Sequence, residues 1–382
     1  MSRLLQVCFV APHAYPVLAR DRSIETVGGS EVQQSTLARE LARRGHDVSM
    51  VCLDFGQPDG IVVDGVKIHR AHAPQAGLRG MRFVHPRLTS IWRAMRRADA
   101  SLYYQRNGGA LTGFVAAFAR RHGRVAVYAG ASDADFDPLL PMIPLARDRA
   151  IFRWGVRHAD ALVTQHPAQR DACLRVFGLD SSVIRSAYAH VGAGGRHDGD
   201  ILWVGTLKPI KAPELFVDLA RACPHWRFRM VGTGDPAYVE TIRRRAAGLV
   251  NLVFSGFVPH ADIEPHFDGA SMVVNTSPAE GFPNTFLQAW SRAIPTVSFV
   301  DPRLGWRGRR AGAVVHSLAE MVATVNKMKT DASAWADAGR TCRLTYDATF
   351  SIDVVIEQYE TLFHGLLSLR RVRPVSARGA IE

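Results

Sequence analysis

The chain has 382 residues, 47% of them hydrophobic and 21% charged, with a formal net charge of +12. That length and balance exclude a disordered chain and a single small core, so two α/β domains are expected. The positive excess favours anionic partners, yet no zinc-finger spacing, RNA-recognition signature or long basic block points to nucleic acid.

The first apolar run, residues 4–10, reads as a strand. It is too short to span a bilayer and lacks a signal-peptide cleavage pattern. Five scattered cysteines (Cys8, Cys52, Cys173, Cys223 and Cys342) show no metal or redox spacing. A reducing, cytoplasmic setting is expected. After the first strand comes a loop with His13, then Gly28-Gly29-Ser30 opening a helix. Its apolar positions Val32, Leu37 and Leu41 recur at helical spacing, Gly45 ends it, and Ser30 with Gln33 is a candidate capping box. Further strands are expected over 48–53, 102–105, 125–128 and 161–164.

Between the second and third of these strands, Leu88, Ile91, Trp92 and Met95 form a stripe among Arg87, Arg93, Arg96 and Arg97. The stripe fits a basic helix on an anionic membrane, and it fits an ordinary helix packed on the sheet better. Residues 191–199, VGAGGRHDG, read as a glycine-rich linker. A second series of strands follows at 201–204, 227–231, 252–254, 272–275 and 296–299, alternating with helices. A last helix is expected over 354–369, followed by a basic tail. Strands alternating with helices imply parallel sheets with crossover connections. The expected division is 1–192, 199–349 and 350–382.

Residues 277–288, SPAEGFPNTFLQ, place Glu280 in a loop after an apolar strand and open a helix near Asn284. Ligands of open α/β sheets bind at such strand ends, and free N–H groups at a helix start suit a diphosphate. A plain strand–turn–helix with a surface glutamate has the same local pattern. The segment resembles the nucleotide-sugar motif of the retaining GT-B glycosyltransferases of family 4, in which two glutamates are separated by seven intervening residues. Glu280 matches the first. Gln288 stands at the second, keeping the reach toward the donor ribose without the charge, so a glutamate should be tolerated there.

Residues 204–211, VGTLKPIK, resemble the family's first strand and loop of the second domain. Lys211 matches the lysine that neutralises the donor diphosphate. Thr206 replaces the usual arginine, and Lys208 is positioned to compensate. Alone, Lys211 would read as a solvated loop lysine. The loop 231–235, with Gly232, and the segment holding Phe257 and Val258 resemble the next two donor loops. Gly281, Phe282, Asn284 and Thr285 complete the implied donor site. In the first domain, Gly28 and Gly29 resemble the glycines that approach the donor phosphate, although a helix cap needs no ligand. Residues 129–135 stand where the family carries a histidine loop. Asp133 is the candidate sugar contact there, with a solvated turn as the alternative.

The resemblance implies two Rossmann-like, doubly wound α/β domains facing across a cleft. It implies retaining transfer from a nucleoside diphosphate sugar to a polysaccharide or lipid-linked hydroxyl, with Glu280 and Asp133 catalytic. No metal and no cofactor beyond the donor are expected, since no acidic pair is placed to hold a cation. An anionic membrane at the inner face of the cell is a further expected contact. A catalytically silent binding protein of the same fold is the competing reading, and an epimerase is a third. The missing G-x-G-x-x-G disfavours a dinucleotide oxidoreductase.

Overall fold

A computed structural model describes residues 4–21, 28–77, 83–189, 192–259, 262–278 and 282–372. Contacts divide the chain into two units, 1–187 with 352–382, and 188–351.

The first unit runs β1 (Gln6–Val10), α1 (Tyr15–Leu18), α2 (Gly29–Arg43), β2 (Asp47–Cys52), β3 (Val62–Val63), β4 (Val66–Arg70), α3 (Thr89–Ala98), β5 (Leu102–Arg106), α4 (Ala110–His122), β6 (Val125–Ala129), α5 (Ala146–His158), β7 (Ala161–Thr164), α6 (Pro167–Phe177) and β8 (Ser182–Val183). Its sheet has the order β3-β4-β2-β1-β5-β6-β7-β8. Only β3 pairs antiparallel. Alternate residues of each strand serve opposite faces. Val7, Phe9, Met50 and Tyr104 pack with Leu37 and Leu41 of α2. Cys8, Val10, Val51 and Tyr103 pack with Ile91 and Met95 of α3 and with Phe118 of α4. The α3 stripe is therefore core, and Trp92 meets Phe118 edge-on at 5.0 Å.

The second unit runs β9 (Ile201–Val204), α7 (Pro213–Ala222), β10 (Phe228–Val231), α8 (Pro236–Arg245), β11 (Leu252–Gly256), β12 (Met272–Asn275), α9 (Asn284–Trp290), β13 (Thr296–Ser298), β14 (Gly305–Trp306), β15 (Arg309–Arg310), β16 (Ala313–Val314), α10 (Leu318–Thr330) and α11 (Ala332–Thr349). Its main sheet, β11-β10-β9-β12-β13-β16, is parallel throughout. The β14–β15 hairpin stands apart from it. All five cysteines are buried and free.

Two expectations need correction. The glycine-rich stretch is packed chain in its described residues: a Cβ on Gly199 would lie 1.8 Å from the Gly269 carbonyl oxygen, and one on Gly195 would lie 2.6 Å from Ile294. These glycines serve close approach of backbones rather than flexibility. Helix α2 begins at Gly29 with Gly28 as its N-cap and no side-chain cap. Ser30 instead accepts from Gln34, and Gln33 spans to the Ala187 backbone with two 2.8 Å bonds. Tertiary bonding by Gln33 outcompetes the local box.

The final helix, α12 (Ile352–Val372), returns to the first unit. Val355, Ile356, Tyr359 and Phe363 join the core beside α2. Arg44 pairs with Asp353 at 2.7 Å and with Glu360 at 3.0 Å. Burying each large apolar side chain contributes about 1.5–3 kcal/mol, against about 0.2–1 kcal/mol for an exposed ion pair. Packing, not charge, therefore fixes α12. Phe363→Ala should destabilise the protein by about 3–5 kcal/mol in urea unfolding, while Asp353→Ala should cost under about 1 kcal/mol. The reverse order would mean that ion pairs hold the helix.

Candidate functional site

In a doubly wound sheet, the crevice for a ligand opens at the carboxyl edge where strand order reverses. In the second unit that point lies between β9 and β12. The loop of residues 205–211 leaves β9 there, and residues 276–278 leave β12 beside it. Thr276 ties the two together, donating to the Lys211 carbonyl at 2.8 Å and accepting from Trp203 Nε1 at 3.0 Å. Lys208 is exposed and starts the turn Pro209–Lys211, while Thr206 is exposed and Lys211 half-buried.

The neighbouring glycine loop has a packing role. Gly232 has φ +149°, and a Cβ on it would lie 1.8 Å from the Gly205 carbonyl oxygen. A Cβ on Gly234 would lie 2.1 Å from the Leu207 carbonyl oxygen, and Leu207 N–H donates to Thr233 O at 2.9 Å. Together they set the path of the lysine-bearing loop. Beyond β11, Phe257 is 46% exposed and Val258 is half-buried. Phe282 spends its ring on the core, stacked on Phe350 at 4.8 Å and edge-on to Trp290 at 5.8 Å. Asn284 is exposed at the start of α9, and Thr285 follows it half-buried. Glu280 and Gly281 lie outside the described residues.

In the first unit the reversal lies between β1 and β5. Gly28 and Gly29 are exposed at the start of α2, with the Glu31 carboxylate folded back toward Gly28. His13 is exposed in the turn after β1. Asp133 follows β6 and accepts from Gln169 Nε2 at 2.8 Å, with His166 Nε2 at 3.0 Å. The His166 contact holds the Asp133 carboxyl below its ordinary value, against burial, with help from Gln169. Its side chain is 65% exposed, so one face remains open to a ligand.

Sequence reasoning missed Asp135, Arg106 and Thr276. Asp135 is buried and accepts backbone N–H bonds from Gly108, Ala131 and Ser132 at 2.7–3.3 Å, joining the loops after β5 and β6. Burial nevertheless outweighs these bonds and raises its carboxyl above the ordinary value. Arg106 ends β5 at 5% exposure, and its NH2 donates to Ser186 Oγ at 3.3 Å. A charged residue closing an apolar strand before Asn-Gly-Gly was the available signal.

The glycosyl transferase 4-like domain model matches residues 28–186, and the glycosyl transferases group 1 model matches residues 198–331. The chain carries two domains of GT-B glycosyltransferase type. Comparison with curated protein sequences gives no match. Among solved structures, it resembles a sucrose-phosphate synthase from Thermosynechococcus elongatus with a TM-score of 0.71 and 16% identity, over 95% of this chain and 99% of that one. It also resembles the catalytic domain of starch synthase IV from Arabidopsis thaliana, bound to ADP and acarbose, with a TM-score of 0.67 and 12% identity. That match covers 96% of this chain and 100% of the other. A pneumococcal O-GlcNAc transferase in complex with UDP and GlcNAc matches 74% of this chain and 60% of its own, with a TM-score of 0.56 and 10% identity. At such identities the likeness establishes the fold.

In this GT-B protein Gln288 belongs to a buried ionic network. Its Nε2 donates to Glu264 Oε1 at 3.0 Å. Glu264 also pairs with Arg292 at 2.9 Å and accepts a short hydrogen bond from the Tyr188 hydroxyl. The Arg292 side chain is fully buried and reaches Asp268 at 2.9 Å. Burial pulls its guanidinium down, but Asp268, Tyr188 and Glu264 outweigh it and hold the value above the ordinary one.

A glutamate at 288 would set two carboxylates against each other, so Gln and Glu are not equivalent here. Gln288→Glu should cost about 1–3 kcal/mol at neutral pH, because a buried donor becomes a second acceptor. The new carboxyl would titrate above its unfolded value. The penalty should therefore be present above that folded pKa and fade as pH falls through it. Equal melting of variant and parent at neutral pH would remove Gln288 from the network.

Proposed function

We propose that this chain is a retaining glycosyltransferase. It moves a hexosyl unit from a nucleoside diphosphate sugar to a hydroxyl of a polysaccharide or lipid-linked glycan. The observation that carries this reading is the pair of loops flanking the β9/β12 reversal, tied through Thr276 to the Lys211 carbonyl. Lys211 and Lys208 supply positive charge to the diphosphate, as charge-assisted contacts strengthen with charge on the leaving group. Gln288 Oε1 makes no hydrogen bond among the described residues and is an acceptor for a ribose hydroxyl. Glu280 orients the donor sugar, a role resting on the motif resemblance. The leaving diphosphate takes the acceptor proton, so no protein base is required.

The neutral residues at Thr206 and Gln288 favour the alternative of a silent nucleotide-sugar binder. Donor turnover without acceptor separates the two, because a silent binder releases no nucleoside diphosphate.

Lys211→Ala should weaken binding of nucleoside diphosphate sugars by about 1.5–3 kcal/mol in calorimetry. Unchanged affinity would remove the lysine from the diphosphate. Turnover should persist in excess EDTA; loss restored by magnesium or manganese would overturn the metal-free reading. NMR of the first-formed product should show the donor's anomeric configuration retained, and inversion would refute the proposed stereochemistry.

A further inference from the structure

The first unit carries an apolar segment that its core uses only in part. Residues 138–146, PLLPMIPLA, contain no polar side chain. Leu140 and Ile143 turn inward at 1% and 6% exposure, while Leu139, Met142 and Leu145 stand out at 74%, 74% and 53%. Pro138, Pro141, Pro144 and Ala146 are exposed as well. Single exposed apolar residues are ordinary, but a contiguous run of them marks an interaction surface.

Helix α5 lies along this segment and fixes it. Arg153 donates to the Pro138 carbonyl at 2.7 Å, and Arg149 donates to the Pro144 carbonyl at 2.9 Å. The outer side of α5 adds Trp154 at 40% exposure, stacked on His158 at 4.2 Å. Residues 138–158 carry four arginines, Arg147, Arg149, Arg153 and Arg157, against one acid, Asp148. Beside Trp154, a cleft of about 450 Å³ is lined by Arg120, Arg121, His158 and Arg370, with Asp160 the single acid in its wall.

We infer that this face docks the protein on an anionic lipid bilayer. Leucine, methionine and tryptophan side chains enter the headgroup–acyl boundary, and the surrounding arginines meet lipid phosphates. Charge decides between occupants. A second copy in two-fold contact would set the four arginines against the same four, which repel. A bilayer rich in anionic headgroups neutralises them instead. The segment also follows directly from β6 and the turn carrying Asp133, so a bound bilayer would present its headgroup layer beside the ligand edge of the first sheet. The surface differs from the α3 stripe, whose apolar residues are core.

The inference does not depend on glycosyl transfer, because its readout is binding alone. The purified 382-residue chain is co-sedimented with vesicles of phosphatidylcholine, with and without phosphatidylglycerol. The parent should bind the anionic vesicles and not the neutral ones. Leu139→Ser/Met142→Ser/Leu145→Ser should lower the partition coefficient about tenfold or more, since apolar insertion and charge act together. Arg147→Glu/Arg157→Glu should do the same, whereas Arg243→Glu/Arg244→Glu on α8, with an equal charge change, should leave binding in place. Unchanged melting temperatures establish that the variants are folded. Absence of binding by the parent, or serine-variant binding equal to the parent's, would overturn the inference. So would equal loss from the α8 variant, which would reduce the effect to net charge. A parent dimer that the serine variant dissociates in sedimentation velocity would assign the face to self-association instead.

Discussion

Parallel strands force every connection to cross a face of the sheet, and the first crossovers must leave a common strand in opposite directions. Both sheets obey this, with order reversing beside β1 in one and beside β9 in the other. At each reversal the neighbouring crossovers part, and the carboxyl edge opens into a crevice. Loops leaving those edges start from fixed points, because rigid strands set where they begin. In the second unit, Gly232 and Gly234 let backbones approach too closely for any side chain, and Thr276 bridges the two loops across the reversal. The lysine loop is thus held by backbone contacts and one hydroxyl, independently of any ligand.

Electrostatics in that unit is organised around a buried cation. Arg292 loses its hydration and recovers it through Asp268, Glu264 and Tyr188. A buried charge stripped of partners is costly, so the network is interdependent. Gln288 joins as a neutral donor to a carboxylate already shared by an arginine and a phenol. The neutrality of residue 288 thus has a local physical reason separate from donor recognition.

The first unit shows how shared composition separates into different roles. Two stretches combine apolar residues with arginines. In α3 the apolar side faces the sheet at the spacing a core helix requires. In residues 138–146 the prolines prevent a helix, so only Leu140 and Ile143 reach the core while their neighbours remain outside. Arg149 and Arg153 bind the segment's carbonyls, holding its apolar side chains in water.

Most longer strands, the parallel class and the doubly wound order implied by alternation were legible in the sequence. Each follows from short-range periodicity, turn chemistry or motif spacing, and β7, β9 and β12 begin and end where that pattern placed them. The strands β3, β8, β14, β15 and β16 were not, because two residues carry no period, and the five-residue β4 was missed as well. Other features required partners remote in sequence. The glycines of residues 192–199 look flexible until Gly269 and Ile294 are seen against them. The α2 cap depends on Ala187, the return of α12 on the core beside α2, and the meaning of Gln288 on Glu264. Local chemistry determined which elements form and where their loops emerge; long-range packing decided which polar groups were already engaged and which apolar groups remained exposed, since burial and pairing are properties of neighbours in space.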